Sequence, residues 1–477
     1  MRKVPSRCRA EPYNGGPVID AQVVQETLRR ALSTGARFAE VFVEDRSSTA
    51  IRLDDGKIEE VVAGADRGAG VRVFYGEAQA YAYTNRLDAA SLAGAAAAAA
   101  GAVRGAGERV EMVDLRSPEQ GAAASVPATE VSRTQKVDWL READDAARGV
   151  DATVRQVVVV YGESRQHVVI VNSLGDWTEE VRPRIRLFAQ VVAVRDGVMQ
   201  TGFEGPGALA GPEFFQRRPP RETGEVAARM AVAMLDGRPA PAGRMPVVLA
   251  PGGGGILFHE ACGHGLEADL IQHDASVFKG RLGEAIASPL VTGVDDGTVA
   301  GEWGTNAFDD EATPTHRTVL FEGGELVGLM YDRLRAGLDA VPSTGNGRRQ
   351  SYAHLPIPRM TNSAILAGDA KADDVIADTR RGLYAKALGG GQVNPSTGDF
   401  VFGVAEGYMI ENGRVTGAVR GANLIGNGPQ ILAGIDAVAD DVAVRHGICG
   451  KEGQGVPVSN GSPTLRIADM TIGGTDA

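Results

Sequence analysis

Between Glu40 and Tyr83 five short segments of strand character follow one another: Glu40 to Glu44, Thr49 to Leu53, Ile58 to Val62, Val71 to Tyr75 and Ala78 to Tyr83. Parallel neighbours need a crossover of a dozen or more residues, and these gaps hold none, so the segments must pair antiparallel, with Asp54-Asp55-Gly56 as a hairpin turn. A helix precedes them, with Asp20 at its cap, Val24, Leu28, Ala31 and Leu32 at helical spacing and Gly35 at its end. The pattern then recurs. A helix from Val137 to Ala147 stops near Gly149, and strands follow at Val154 to Tyr161, Val168 to Asn172 and Arg184 to Val194, the last with Ile185, Leu187, Ala189, Val191 and Ala193 alternating with mostly polar neighbours.

This order predicts an α+β fold, antiparallel sheets with packed helices. Three units are expected: an N-terminal α+β domain over residues 18–105, a central helix-plus-β-meander domain over 131–236 and a larger C-terminal domain over 244–477. The Gly, Ala, Ser and Pro-rich stretch Arg104 to Glu130 reads as a linker or mobile loop. The proline-rich stretch Gly237 to Pro246 follows a helix at Glu222 to Leu235 and reads as a boundary. The length of 477 residues agrees, at about 150 residues per domain.

Charge and cysteine usage narrow the function classes. Forty-nine Lys and Arg face 61 Asp and Glu, and a formal charge of −12 repels phosphate backbones, so nucleic acid is not expected as a partner. Cys8, Cys262 and Cys449 cannot form a complete disulfide framework, which points to free thiols in a reducing compartment. The basic start (Arg2, Lys3, Arg7) is not followed by an apolar stretch, so no secretory signal is read and a cytoplasmic location is expected. The alanine-rich segment Ala89 to Val103 falls short of the ~20 apolar residues of a membrane span and is expected to be a packed helix.

The chemistry concentrates beyond the second boundary. Met245 to Ala250 is a short apolar strand, Gly252 to Gly255 a glycine run, and His259, Glu260 and His264 lie on the helix that follows. The run is not a phosphate loop, because Ile256 and Leu257 stand where Gly-Lys-Ser/Thr is needed. Its glycines instead let backbone pass close to another strand or a bound chain. The spacing His-Glu-x-x-x-His is one residue longer than the zinc-peptidase motif, so on a regular helix the two histidines would sit roughly 140° apart. Sharing one ion therefore requires a π-bulge or broken turn at Ala261 to Gly265.

A catalytic zinc needs a third protein ligand and an open position. Cys449, in the glycine-flanked Gly447-Ile448-Cys449-Gly450-Lys451, reads as a turn where a thiolate can reach an ion, whereas Cys262 should point elsewhere as a small buried hydrophobe. Asp309, Asp310 and Glu311 read as a solvated acidic loop. Cys449 with His446 is an alternative nucleophilic pair, and His446 and His354 are candidate oxyanion donors.

The stretch His259-Glu260-Ala261-Cys262-Gly263-His264-Gly265-Leu266-Glu267 resembles the signature of the TldD/PmbA peptidases. Three further segments agree: Ser351 to Asn362 (SYAHLPIPRMTN), Gly398 to Tyr408 (GDFVFGVAEGY) and Cys449 to Val458 (CGKEGQGVPV). The resemblance implies the TldD-type, catalytic member, with His259, His264 and Cys449 as zinc ligands, Glu260 as the catalytic glutamate and Cys262 at a non-ligand position. It also implies a heterodimer with a PmbA/TldE-type subunit, a homodimer being the other arrangement, and cleavage of short or unfolded peptides such as antitoxins and peptide precursors. In that chemistry zinc lowers the pKa of its water and polarises the scissile carbonyl, and Glu260 takes the water proton and passes it to the leaving amine.

Gly389, Gly390, Gly391 and Asn394 mark a candidate edge where an extended peptide could add as a strand. Two other readings stand beside the peptidase: a peptide-binding or toxin-modulating scaffold with a structural metal site, and a hydrolase using Cys449 as a thiol nucleophile.

Overall fold

The closely spaced segments do pair antiparallel, but they merge into fewer and longer strands than expected. The computed structural model describes residues 19–102, 112–121 and 131–474. Helix α1 (Ala21–Ala31) is capped by the Asp20 carboxylate, which accepts from the amides of Gln22 and Val23. The first two segments then lie in one strand, β1 (Phe38–Asp54), and the next two in another, β2 (Lys57–Tyr75), joined where Asp55 and Gly56 both take positive φ. β3 (Ala78–Thr84) follows, and the alanine-rich segment forms α2 (Ala89–Ala102), burying Leu92, Ala95, Ala96 and Ala99. Merging has a simple cause: the polar stretches between the segments lie on a strand whose middle is solvated, so the ladder continues where apolar alternation lapses.

The second helix-and-meander joins the same sheet. After β4 (Glu119–Gln120) come α3 (Arg133–Arg148), β5 (Val154–Asn172), β6 (Trp177–Arg195), β7 (Val198–Glu204), β8 (Gly207–Ala208) and α4 (Pro220–Leu235). β1 pairs with β5 from Glu40 opposite Asn172 to Asp54 opposite Val158, giving the order β3-β2-β1-β5-β6-β4, with β7 and β8 against β6. Of the expected linker, residues 104–111 and 122–130 lie outside the described residues, as do Val103 of the expected alanine-rich helix and Cys8. The piece between them is tied to the sheet through the Val113 amide on the Ser173 carbonyl (3.1 Å) and β4 beside β6.

One face of this sheet is apolar and covered by helices. Val41, Val43, Val71, Val73 and Val169 pack with α1 and α2, and Leu53, Val157, Val159, Leu187 and Val191 with α3 and α4. Strand alternation sends Glu40, Glu44, Arg72, Glu180, Arg182 and Arg184 to the opposite face, where all are buried against the C-terminal half. There the acidic cluster departs from expectation. Asp309, Asp310 and Glu311 are not a solvated loop but are at most 3% exposed. Arg182 donates to Asp310 (2.6 Å), Arg72 pairs with Glu311, and Arg349 bridges Glu40 (2.5 Å) and the Asp310 carbonyl (2.6 Å). Burial would raise the Asp310 carboxyl, but the guanidiniums of Arg182 and Arg349 outweigh it and hold it below its usual value.

The C-terminal half holds two larger sheets. In one, the strands Arg381–Val393, Gly243–Leu249, Leu465–Gly473, Asn423–Asn427 and Asp399–Glu411 pair in turn, and the last pairs back with the first to close a ring. The other runs Glu325–Leu326, Arg317–Glu322, Gly293–Asp296, Asn362–Ile365, Gln454–Ser462 and Ala443–Lys451. The α+β expectation holds, with parallel pairs within it at Val247–Leu249 beside Leu383–Ala385 and at Asn362–Ala364 beside Ser459–Gly461. A continuous core, including Leu249, Phe258, Cys262, Leu266, Phe321, Met360, Phe402 and Leu465, fills the space between the sheets.

Candidate metal centre

The glycine run sets where the histidines lie. A short helix, Gly253–Phe258, leaves the end of the strand Gly243–Leu249, and a β-carbon on Gly255 would stand 2.7 Å from the backbone of Asn460 and Gly461. Only glycine lets the helix rest on the strand Gln454–Ser462. That strand is hairpinned to Ala443–Lys451, where Cys449 lies opposite Val456. Cys449 therefore sits on a strand, three residues ahead of the Glu452-Gly453 turn, and not in the turn itself.

The helix distorts as the spacing requires, beginning two residues earlier than expected. A π-helical turn runs from His259 to Gly263 and a 3-10 turn from His264 to Leu266. Hydrogen bonding from i to i+5 brings residues five apart onto one side, and the two imidazoles stand at 83° with centroids 5.1 Å apart. A β-carbon on Gly263 would collide with Met360 Sδ, so a side chain there would require the buried Met360 to move.

Cys449 Sγ lies 3.2 Å from His259 Nε2 and 3.3 Å from His264 Nε2, and the three donor atoms fall within 4.8 Å of one another. All three side chains are buried. Burial would raise the Cys449 thiol, but His259 and then His264 outweigh it and bring it down to about 4. Glu260 behaves differently: its carboxylate, 4.0 Å from His264 Nε2, keeps about a third of its surface open (32%). From Gly252 to Asp269 every residue is buried except Ile256 and Glu260, one helical turn apart on one face.

The outward nitrogens of both histidines are held. His264 Nδ1 lies 3.0 Å from Glu267 Oε2, and Lys451 Nζ donates to Glu267 (2.9 Å) and Asp269 (2.7 Å). His259 Nδ1 lies 3.4 Å from Ser363 Oγ, and Arg359 fixes the cysteine strand by donating to the Cys449 carbonyl at 2.5 Å. Sequence reasoning assigned no role to these residues. Glu267, three positions after His264, and Lys451, two positions after Cys449 on the same strand, carried a local signal, but Ser363 and Arg359 come from segments far from both in sequence.

The remaining candidates separate from this centre. His446 does not pair with Cys449; its Nε2 lies 3.2 Å from Glu302 and its Nδ1 faces the Gly207 amide at 3.4 Å. His354 pairs with Ser351 at 2.8 Å. Cys262 is the buried thiol expected, raised by burial. Gly389, Gly390 and Gly391 lie on the strand Arg381–Val393, whose pairing skips from Leu388 to Gly391, leaving Gly389 and Gly390 in a bulge. Gly391 faces the Phe402 ring, and Asn394 closes the following turn, its amide on the Asp399 carbonyl at 2.9 Å.

Family models described as PmbA/TldA metallopeptidase domain 1, central domain and C-terminal domain match residues 39–104, 126–235 and 242–474. The chain belongs to the PmbA/TldD metallopeptidase family. Within it, the chain is 39% identical to the metalloprotease TldD homolog of Haemophilus influenzae, covering 92% of this chain and 93% of that one. It is 34% identical to a metalloprotease of Methanothermobacter thermautotrophicus, covering 92% and 96%. The fold is shared with TldE of Thermococcus kodakarensis, at a TM-score of 0.72 and 18% identity over 94% of this chain and 99% of that chain. Among the described residues no helix is long and apolar enough to cross a membrane.

Proposed function

We propose that this member of the family is a zinc-dependent peptidase acting on short or unfolded peptides, with His259, His264 and Cys449 as zinc ligands and Glu260 as general base. The observation that carries the reading is the convergence of the three donor atoms beside an open carboxylate. The fit to zinc is direct: Zn–N bonds of about 2.0 Å and a Zn–S bond of about 2.3 Å in a tetrahedron hold ligand atoms roughly 3.5 Å apart. The His–Cys separations of 3.2 and 3.3 Å are close to that. Zinc bound there supplies a Lewis acid for the scissile carbonyl and lowers the pKa of water.

The chain's own residues do the rest. Cys449 contributes the thiolate the two imidazoles favour, and Glu267 orients His264 through Nδ1. Glu260, on the open face, takes the proton of the attacking water and passes it to the leaving amine. The exposure of Glu260 favours catalysis over a closed structural site.

Substrate lies extended along the strand Arg381–Val393. Beyond Ala385 that strand no longer pairs with Gly243–Leu249, so main-chain groups from Lys386 to Gln392, including Gly389, Gly390 and Gly391, are available for strand addition up to the turn at Asn394. The chain works in the cytoplasm, where thiols stay reduced, with a PmbA/TldE-type subunit as partner. Its fold likeness to TldE supports that pairing. The test is Glu260→Gln: zinc content is retained while peptide hydrolysis falls by about 100-fold or more. Retained hydrolysis refutes the assignment of Glu260.

A further inference from the structure

A cleft of about 250 Å³ adjoins the open face of the histidine helix. Ile256 lies in its wall, one turn before Glu260, and Lys386 to Leu388 of the strand Arg381–Val393 form another part. Phe188 and Phe203 from β6 and β7 supply apolar surface. The cleft thus lies between the proposed peptide strand and the short helix that leads into Glu260, which contributes Gly253 and Ile256 to it.

Arg186 is the unusual group in it. Its Nε is buried without a hydrogen-bond partner, and among the described residues no carboxylate forms an ion pair with it. The guanidinium stacks towards Phe188, 5.7 Å from the ring centroid. Glu204, the nearest carboxylate influence, is already engaged by Arg445 at 2.9 Å, and Lys386 is held by Glu406 at 2.8 Å. Burial pulls Arg186 below its ordinary pKa, the mark of a cation lacking its counterion. The residue is half-buried, and the N–H hidden at Nε costs stability because nothing in the protein accepts from it.

We propose that Arg186 is the anchor for a substrate carboxylate, so that this enzyme selects peptides carrying a carboxylate a few residues from the bond it cuts. A guanidinium takes a carboxylate through two parallel hydrogen bonds, and the apolar walls suit the side chains beside it. The inference rests on the peptidase reading. Ile256 shares the cleft with Arg186 and precedes Glu260 by one helical turn, about 6 Å, so the anchored group lies residues away from the bond that is cut rather than beside it. The carboxylate comes either from a free C-terminus or from an Asp or Glu side chain, and the two give terminal or internal cleavage respectively.

Binding separates them without relying on turnover. Zinc-loaded Glu260→Gln protein is titrated with three labelled peptides of one apolar sequence: free C-terminus, amidated C-terminus, and amidated with one internal Glu. At least one carboxylate peptide should bind about 10-fold more tightly than the neutral amide, and Arg186→Met in the same background should remove the difference, with Arg186→Lys restoring part of it. The peptide that gains identifies the source. Equal affinity for all three, including none detectable, overturns the proposal, as does a carboxylate preference that survives Arg186→Met. Arg186-dependent binding without cleavage by the native enzyme would sink the peptidase reading and leave the anchor. Cleavage of all three peptides indifferent to Arg186 would do the reverse.

Discussion

Glu267 sits between His264 and Lys451, its Oε2 3.0 Å from the imidazole Nδ1 and 2.9 Å from the ammonium nitrogen. The lysine, with His264, outweighs burial and keeps the glutamate charged, so the carboxylate can fix the His264 ring with Nε2 turned towards Cys449. Glu267→Gln should therefore lower zinc affinity by about 10–100-fold while leaving the fold intact. Competition against a chelator of known affinity measures it, and wild-type affinity would show that Glu267 serves packing alone.

Gly255 gives a steric prediction. Gly255→Ala drives a methyl into the backbone of Asn460 and Gly461, which has no rotamer to yield. Overpacking of this kind costs about 1–3 kcal/mol, and it also lifts the histidines away from the hairpin that delivers Cys449. Tm and zinc content should fall together; a loss of stability with full zinc content would uncouple the helix seat from the metal centre.

The histidine spacing and the glycine run show what could be read in advance. The His-Glu-x-x-x-His spacing itself demanded a distorted helix, because five residues on a regular helix cannot bring His259 and His264 together, and the π turn supplies that distortion. The closeness of Gly255 to a neighbouring strand was also legible, since a run of glycines beside an apolar strand has few other uses. The acidic cluster was misread for a physical reason. Three consecutive acids look solvated when seen alone, but Arg72, Arg182 and Arg349, which neutralise them, come from strands and a loop distant in sequence. The long strands were likewise hidden, because pairing with β2 and β5 carries β1 through a stretch with no apolar signal of its own.

That buried layer predicts its own mutational cost. Arg182 satisfies Glu180 (2.9 Å), Asp310 (2.6 Å) and the Phe308 carbonyl (2.8 Å). Arg182→Ala takes the hydrogen-bonded guanidinium from two buried carboxylates, leaving Asp310 with Arg349 alone, and should destabilise the protein by about 3–5 kcal/mol, read by denaturant unfolding. A change below about 1 kcal/mol would mean that water replaces the guanidinium at no great cost.

Asp332 gives the layer a pH dependence. Burial and the neighbouring Glu311 push its carboxyl up to about 7, although it also caps a helix by accepting from the Arg335 amide at 2.7 Å. Between the ordinary carboxyl value of 3.8 and about 7 the folded state holds a proton the unfolded state has lost, so this contribution to stability declines as pH rises through that window. Asp332→Asn keeps a capping oxygen and removes the titration. Its Tm should vary less than the wild type's from pH 5 to pH 8, with the gain largest at pH 8; parallel profiles would rule Asp332 out as the source.

The central claim is that two histidines and a cysteine from segments far apart in the chain hold one zinc ion. Zinc content of the purified wild-type protein beside that of Cys449→Ala tests it most directly. About one zinc per chain in the wild type and little in the variant is the predicted result. Equal zinc in both would remove Cys449 from the centre, and no zinc in either, without chelators present, would contradict the account.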